Sequence, residues 1–96
     1  MNVNFYATLR QITGQKTVEF ELPDGSTVRE LVNIIIARYP TMGPELLNED
    51  GELWPHVHVF INGRDLRYLP SGNQAVLQPG DKVNIFPPVG GGQIDV

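Results

Sequence analysis

Apolar and polar residues alternate along four stretches of the chain, and each stretch predicts a β-strand. The stretches cover residues 2–9, 16–22, 56–61 and 82–86. A short glycine-containing turn separates the first two, so a β-hairpin is expected at the start of the chain. The inward-facing sets are Val3, Phe5, Ala7 and Leu9, then Val18, Phe20 and Leu22, then Val57, Val59 and Ile61, and finally Val83 and Ile85.

Residues 27–38 instead show the spacing of an amphipathic helix. Thr27 and Glu30 match a capping box, in which a hydroxyl and a carboxylate three residues apart bond the first free backbone amides. Pro40 ends the pattern. The apolar residues of this predicted helix are Val28, Leu31, Val32, Ile35 and Ile36. Less regular segments follow, predicted as a short helical turn, an acidic loop and a long connection with room for one short strand (residues 43–47, 48–52 and 66–77).

The order of these elements predicts an α+β fold. A helix that follows a hairpin buries its apolar stripe on one face of the sheet. By analogy, the order suits a β-grasp (ubiquitin-like) fold, a mixed sheet packed on one main helix. In that fold the first and last strands lie side by side in the middle of the sheet.

Composition narrows the classes of function. The chain has 96 residues, 41% of them hydrophobic, which fits one globular domain. Its net charge of −4 argues against nucleic-acid binding, which depends on neutralising phosphates. The absence of cysteine excludes disulfides and thiolate zinc sites. No apolar run reaches the roughly 18 residues of a membrane span, so we expect a cytoplasmic protein with no membrane partner.

No combination of residues predicts a catalyst. His56 and His58 alternate along one predicted strand, but no third ligand is evident, so no metal site is expected. No serine lies in a nucleophile elbow. The glycines at 90–92 precede no helix start and no Gly-Lys-Ser/Thr sequence, so they are not a phosphate-binding loop. The chain is therefore predicted not to be an enzyme.

The stretch after the last strand is the most distinctive part of the sequence. Two prolines end the strand, and three consecutive glycines follow one residue later. If the first and last strands pair, Tyr6 and Phe86 are exposed aromatics where the chain leaves the sheet. Leu66 or Leu69 could extend them into a docking patch. The alternatives are a frayed terminus and a Phe86 ring folded over its own sheet edge.

These two ends of the chain resemble a known family. Residues 4–10 are similar to the opening strand of the small subunit of molybdopterin synthase. Residues 77–92 resemble that family's ending, which has a Gly-Asp turn, a strand, Pro-Pro-Val and a diglycine. The family comprises ubiquitin-like sulfur carriers, including carriers for thiamine and for cysteine biosynthesis. The stretch at 46–69 fits the cysteine-pathway carrier at least as well.

The resemblance implies a function as a sulfur carrier. Gly91 and Gly92 match the diglycine, whose terminal carboxylate is adenylated by an E1-like enzyme that uses ATP and is then thiocarboxylated. No cofactor is bound by the carrier itself. The sulfur acceptor is the large subunit of molybdopterin synthase or an enzyme like cysteine synthase. The predicted partner-binding residues are Tyr6, Leu66, Phe86, Pro87, Pro88, Val89 and Gly90.

Four residues follow Gly92, whereas the family's diglycine normally ends the chain. We therefore expect a carrier domain of residues 1–92 and an extension of residues 93–96. A metal-dependent, ubiquitin-type peptidase is expected to cut between Gly92 and Gln93. Two other readings remain open, a ubiquitin-like modifier linked to target lysines and a β-grasp binding module that is never activated.

Overall fold

The computed structural model describes residues 1–87, in which a five-stranded mixed sheet packs against helices. The strands are β1 (Asn2–Phe5), β2 (Thr17–Glu19), β3 (His58–Ile61), β4 (Arg64–Asp65) and β5 (Val83–Phe86). The helices are α1 (Ala7–Thr13), α2 (Val28–Arg38) and α3 (Gly43–Leu46). Short 3₁₀ helices cover Pro40–Met42, Leu66–Tyr68 and Gly72–Gln74. The predicted boundary between residues 92 and 93 lies outside the described residues.

The strand order is β2-β1-β5-β3-β4, so the first and last strands lie together in the centre. They run parallel, with Val3 opposite Val83 and Phe5 opposite Ile85. The other pairs are antiparallel. Parallel neighbours need a crossover connection, and the intervening chain with α2 supplies it. This arrangement confirms the predicted β-grasp fold.

Helix α2 begins as predicted. The Thr27 side chain accepts a hydrogen bond from the Glu30 amide (3.2 Å), and the Glu30 carboxylate accepts one from the Thr27 amide (2.8 Å). These two bonds satisfy amides that have no partner inside the helix. The apolar stripe is buried as expected except at Ile36, which is only partly covered. The buried residues of this stripe and the inward residues of both central strands form one hydrophobic cluster.

The first predicted strand is too long, because the chain leaves the sheet after Phe5. Ala7 adopts a left-handed backbone (φ 53°), and the residues from Ala7 onward form α1, which buries Leu9. Gly14 ends α1 at φ 78° and donates its amide to the Arg10 carbonyl. Strands β1 and β2 pair as predicted, but a helix joins them instead of a hairpin turn. Ala7 is exposed and belongs to no apolar strand face.

The second half of the chain differs from prediction in three places. Strand β3 begins at His58, and His56 lies in the preceding turn. Strand β4 was not predicted; it forms because Asn62 and Gly63, both at positive φ, make a tight hairpin turn. The long connection contains two 3₁₀ helices and an isolated bridge between Val76 and Thr27, with no regular strand. Within residues 1–87 no helix combines the length and apolar character needed to cross a membrane.

Candidate partner-binding face

Three aromatic rings meet on the side of the sheet that α2 leaves open. Tyr6 stacks on Phe86, with ring centroids 4.2 Å apart and an angle of 8° between the planes. Phe60 meets Phe86 edge to face at 5.6 Å. We call Tyr6, Phe60 and Phe86 the aromatic face. Because β1 and β5 are parallel, Tyr6 and Phe86 lie at the same end of the sheet, where the chain continues into Pro87.

Polar side chains cross the centre of the open side in one connected set. The Thr17 hydroxyl donates to the Asn4 oxygen (2.6 Å), and the Asn4 amide nitrogen donates to the Asn84 oxygen (3.0 Å). The Tyr6 hydroxyl donates to the same Asn84 oxygen (2.8 Å). We call these four residues the polar ladder. It connects β2, β1 and β5 and orients the Tyr6 ring against Phe86.

An ionic cluster borders the aromatic face on the β3–β4 side. Asp65 accepts hydrogen bonds from the backbone amide (2.9 Å) and Nε (3.3 Å) of Arg67, and its second oxygen lies 3.1 Å from Nδ1 of His58. Burial raises the pKa of Asp65, but the Arg67 amide, the His58 ring and the charges of both side chains outweigh it. The pKa of Asp65 is therefore lowered from its ordinary value of 3.8, and the carboxylate is ionised at neutral pH.

A lysine borders the same face on the β2 side. The Lys16 ammonium nitrogen lies 5.4 Å from the centre of the Tyr6 ring, within cation–π distance. Lys16 is exposed to solvent. The aromatic face therefore has a cation at each side, Lys16 beside Tyr6 and Arg67 beyond the His58–Asp65 pair.

The structure brings together only part of the predicted site. Tyr6 and Phe86 are in contact, and what they bind remains a prediction. Leu66 was expected to extend the patch, but it is 7% exposed and packs in the core, because the 3₁₀ helix after β4 turns it inward. Pro87 is buried. The other predicted residues of the tail lie outside the described residues: Pro88, Val89, Gly90, Gly91, Gly92 and Gln93.

Several contacts of this face are not evident from sequence patterns. The alternation of β3 and β5 places Phe60 and Asn84 on the open side, yet only the pairing of β1 with β5 puts Asn4 against Asn84. The contact of Asp65 with His58 depends on the unpredicted strand β4. His56 does not share a strand face with His58, and among residues 1–87 no three His, Asp or Glu side chains are grouped to hold a metal.

Similarity to known proteins places this fold among the ubiquitin-like β-grasp proteins. The chain is 32% identical to a chain in the crystal structure of the Amycolatopsis orientalis BexX/CysO complex, with a TM-score of 0.77. That match covers 95% of this chain and 98% of the other. A sequence model of the ThiS family matches residues 3–92. The chain therefore belongs to the ThiS family of ubiquitin-like sulfur carriers.

Two curated relatives match almost the whole chain. Small archaeal modifier protein 3 of Haloferax volcanii is 39% identical over 92 residues, covering 96% of this chain and 98% of the relative. The molybdopterin synthase sulfur carrier subunit of Chlamydomonas reinhardtii is 28% identical over 92 residues, with the same two coverages. One relative is thus named as a modifier and the other as a sulfur carrier.

Proposed function

We propose that this chain is a sulfur carrier whose Gly92 carboxyl group, once freed from residues 93–96, is adenylated and then thiocarboxylated. The observation that carries the proposal is the stacked pair of Tyr6 and Phe86. It lies directly before Pro87 and the glycine-rich stretch, so an enzyme that takes in the tail meets these rings at the same time. Membership of the ThiS family supports the same reading.

The chemistry explains why a glycine end is required. A carboxylate is a poor electrophile, so the activating enzyme joins it to the α-phosphate of ATP and releases pyrophosphate. A sulfur nucleophile then attacks the carbonyl carbon, AMP leaves, and a thiocarboxylate remains. Glycine has no side chain, so its carbonyl can enter a narrow ATP site without a steric clash. ATP is held by the enzyme and not by this chain.

Two kinds of partner follow from this scheme. An E1-like adenylating enzyme and a sulfur-acceptor enzyme both need the Gly92 carbonyl, and we propose that both dock on the aromatic face. The acceptor belongs to molybdopterin biosynthesis or to cysteine and related sulfur metabolism. Because both enzymes use the same face, the carrier has to leave one before it binds the other.

The direct test uses the chain ending at Gly92. Incubation with ATP, a sulfide source and a candidate E1-like enzyme should produce a species in which one oxygen is replaced by sulfur, detected by intact-mass spectrometry. The matched control ends in Gly92→Ala and should remain unmodified, because the added methyl group obstructs the ATP site. Equal modification of both chains, or of neither when the enzyme is active on another carrier, would contradict the proposal.

Exposure of Gly92 requires cleavage before Gln93, which we assign to a metal-dependent, ubiquitin-type peptidase. The mature protein from its native source should end at Gly92. Chelation of divalent metal in a cell extract should preserve the longer form. A population that keeps residues 93–96 throughout, while the activating enzyme is present, would exclude this step.

A second function, as a protein modifier, is favoured by the name of the 39% identical relative. In that case the activated Gly92 carbonyl is attacked by a lysine amine of a target, and an isopeptide bond forms as AMP or a thiol leaves. Mass spectrometry of tryptic peptides distinguishes the two products. Remnants of the tail on target lysines indicate a modifier, whereas free thiocarboxylate indicates a sulfur carrier.

A third reading is a β-grasp module that binds partners without being activated. It predicts that Gly91→Ala and Gly92→Ala leave function intact in cells. Both activated readings predict loss of function in these variants, since both require the glycine carbonyl. Complementation of a deletion strain with each variant separates these readings.

A further inference from the structure

Around the aromatic face, the amide and carboxylate oxygens accept hydrogen bonds within the chain, whereas the Asn84 amide nitrogen and the Lys16 ammonium are left outward. We infer that the partner surface covering the aromatic face is an apolar pocket bordered by Asp and Glu carboxylates, and that the adenylating enzyme carries it. This inference rests on the proposed function. It adds the chemistry of the partner's surface and two residues that select it, Lys16 and Asn84.

Both amide oxygens of the polar ladder accept hydrogen bonds within the chain. The side-chain oxygen of Asn4 accepts from Thr17 (2.6 Å). The side-chain oxygen of Asn84 accepts twice, from Asn4 (3.0 Å) and from the Tyr6 hydroxyl (2.8 Å). A carbonyl oxygen has two lone pairs, so the oxygen of Asn84 has no capacity left for a partner.

The carboxylate beside the aromatic face is occupied in the same way. One Asp65 oxygen accepts two bonds from Arg67, and the other faces Nδ1 of His58. The Asp65 side chain is 12% exposed, whereas that of Arg67 is 45% exposed. The Arg67 guanidinium also donates to the Pro55 carbonyl (2.8 Å), but its side chain is the more exposed of the pair, so a docking protein meets its positive charge more than the carboxylate.

Two donors beside the aromatic face, the Asn84 amide nitrogen and the Lys16 ammonium, are not used in this way. Among residues 1–87, the Asn84 amide nitrogen has no acceptor, and two bonds to its oxygen fix the orientation of the amide. Asn84 is partly exposed and lines the hollow beside the stacked rings, so a partner that covers these rings also covers this amide group. The Lys16 ammonium lies over the Tyr6 ring, 5.4 Å from its centre, and adds a full positive charge.

This local charge is opposite to that of the whole chain. The sequence has 11 Asp and Glu residues against seven Lys and Arg, and a net charge of −4. Within residues 1–87, the hollow between the rings is lined by Tyr6, His58, Phe60, Asp65, Asn84 and Phe86, and the carboxylate among them is the paired Asp65. A cationic border on an acidic protein fits a partner with carboxylates around its pocket, because burying a donor without an acceptor is costly.

The sharpest variant is Asn84→Asp, which preserves the shape of the side chain. The oxygen that accepts from Asn4 and Tyr6 remains, while the outward nitrogen is replaced by a second, negatively charged acceptor. In ATP–pyrophosphate exchange with the E1-like enzyme and the chain ending at Gly92, KM should rise about tenfold or more. The kcat value should stay within about twofold, because the tail enters the ATP site as before once the carrier is bound.

Lys16→Glu is the second variant, and Lys82→Glu is its matched control. Both change one exposed lysine to the same acid, and they are the two lysines of the chain. Lys82 lies four residues before Phe86, about 13 Å away along the strand at ~3.3 Å per residue. Lys16→Glu should raise KM about tenfold at low salt and much less at high salt. Lys82→Glu should change KM by less than about twofold.

The outcomes separate this inference from the proposed function. If the unsubstituted chain is not adenylated, the proposed function fails. If it is adenylated and both Asn84→Asp and Lys16→Glu keep its KM, the inference is wrong and the function stands. An equal rise of KM for Lys16→Glu and Lys82→Glu also overturns the inference, because it shows a response to net charge alone. Circular dichroism and thermal melting check that each variant is folded.

Discussion

The helix-covered side of the sheet and its open side differ in how their side chains are held. On the covered side, Val3, Phe5, Val83 and Ile85 are at most 1% exposed and belong to one buried cluster with α2. On the open side, the intervening residues of β1 and β5 are partly exposed and are joined by hydrogen bonds and ring stacking. The same two strands therefore supply both surfaces.

This difference separates stability from recognition. The covered side removes apolar area from water, which is the main favourable contribution to folding. The open side keeps apolar rings partly exposed, and hydrogen bonds hold its polar groups in one orientation, as the proposed docking requires. Substitutions on the two sides should therefore affect different measurements, even when they are neighbours in the chain.

The largest expected contrast is between Phe5→Ala and Phe86→Ala. Phe5 is fully buried and packs edge to face on Phe20, so its truncation should lower the free energy of unfolding by about 3–5 kcal/mol. Phe86 is partly exposed, and its truncation should lower the free energy of unfolding by about 1 kcal/mol, because the stacking on Tyr6 is lost. Urea unfolding measures both values.

The adenylation assay should give the opposite ranking for this pair. Under conditions where both variants remain folded, Phe86→Ala should raise KM strongly and Phe5→Ala should leave it close to that of the unsubstituted chain. If Phe5→Ala impairs docking as much as Phe86→Ala, the two sides of the sheet are not functionally separate.

Leu66→Ala tests a residue that sequence reasoning assigned to the wrong surface. Because Leu66 packs in the core, its truncation should lower the free energy of unfolding by about 2–4 kcal/mol. KM for adenylation should not change. Leu69 is only partly buried and provides the comparison. Leu69→Ala should lower the free energy of unfolding by less than Leu66→Ala does. A large rise in KM with little loss of stability would instead support the original prediction that Leu66 takes part in docking.

The ionic cluster makes a prediction about pH. The pKa of Asp65 is lower in the folded chain than the ordinary 3.8, so its ionised form stabilises the fold above that pH. This contribution is lost as pH falls through the folded pKa. Asp65→Asn should lower the free energy of unfolding by about 1–2 kcal/mol at pH 7, since the variant loses charge-assisted hydrogen bonds. Its deficit relative to the unsubstituted chain should shrink below pH 3.8.

Chemical denaturation at several pH values measures this deficit directly. Asp24→Asn is a suitable control because Asp24 is exposed and its side chain forms no ion pair among residues 1–87. A deficit that stays constant from neutral to acidic pH would show that Asp65 does not titrate with folding.

The smallest expected effect is that of Thr17→Val at the edge of the polar ladder. The Thr17 hydroxyl donates to Asn4 at 2.6 Å but is exposed, so water can replace it. Valine suits a strand, and the free energy of unfolding should change by less than about 0.5 kcal/mol. Nuclear magnetic resonance should still detect a shift of the Asn4 side-chain amide. A large loss of stability would mean that the open side contributes to folding as the covered side does.

Local signals in the sequence predicted the elements that depend on nearby residues. The capping box at Thr27 and Glu30 located the start of α2, and alternation located the inward residues of β3 and β5. Alternation failed after Phe5, because Phe5, Ala7 and Leu9 fit a strand as well as a strand followed by a helix that buries Leu9. The two-residue strand β4 is too short to produce any alternation of its own.

What the sequence determined by itself was the set of local elements, the covered side of the sheet and the family, since spacing, capping and a terminal motif are all readable along the chain. Tertiary structure alone decided which side chains of the aromatic face and the polar ladder are in contact. Asn4 and Asn84 are 80 positions apart, and their hydrogen bond exists only because β1 and β5 are parallel neighbours. The same pairing stacks Tyr6 on Phe86, so the surface beside the tail is a consequence of the sheet's topology.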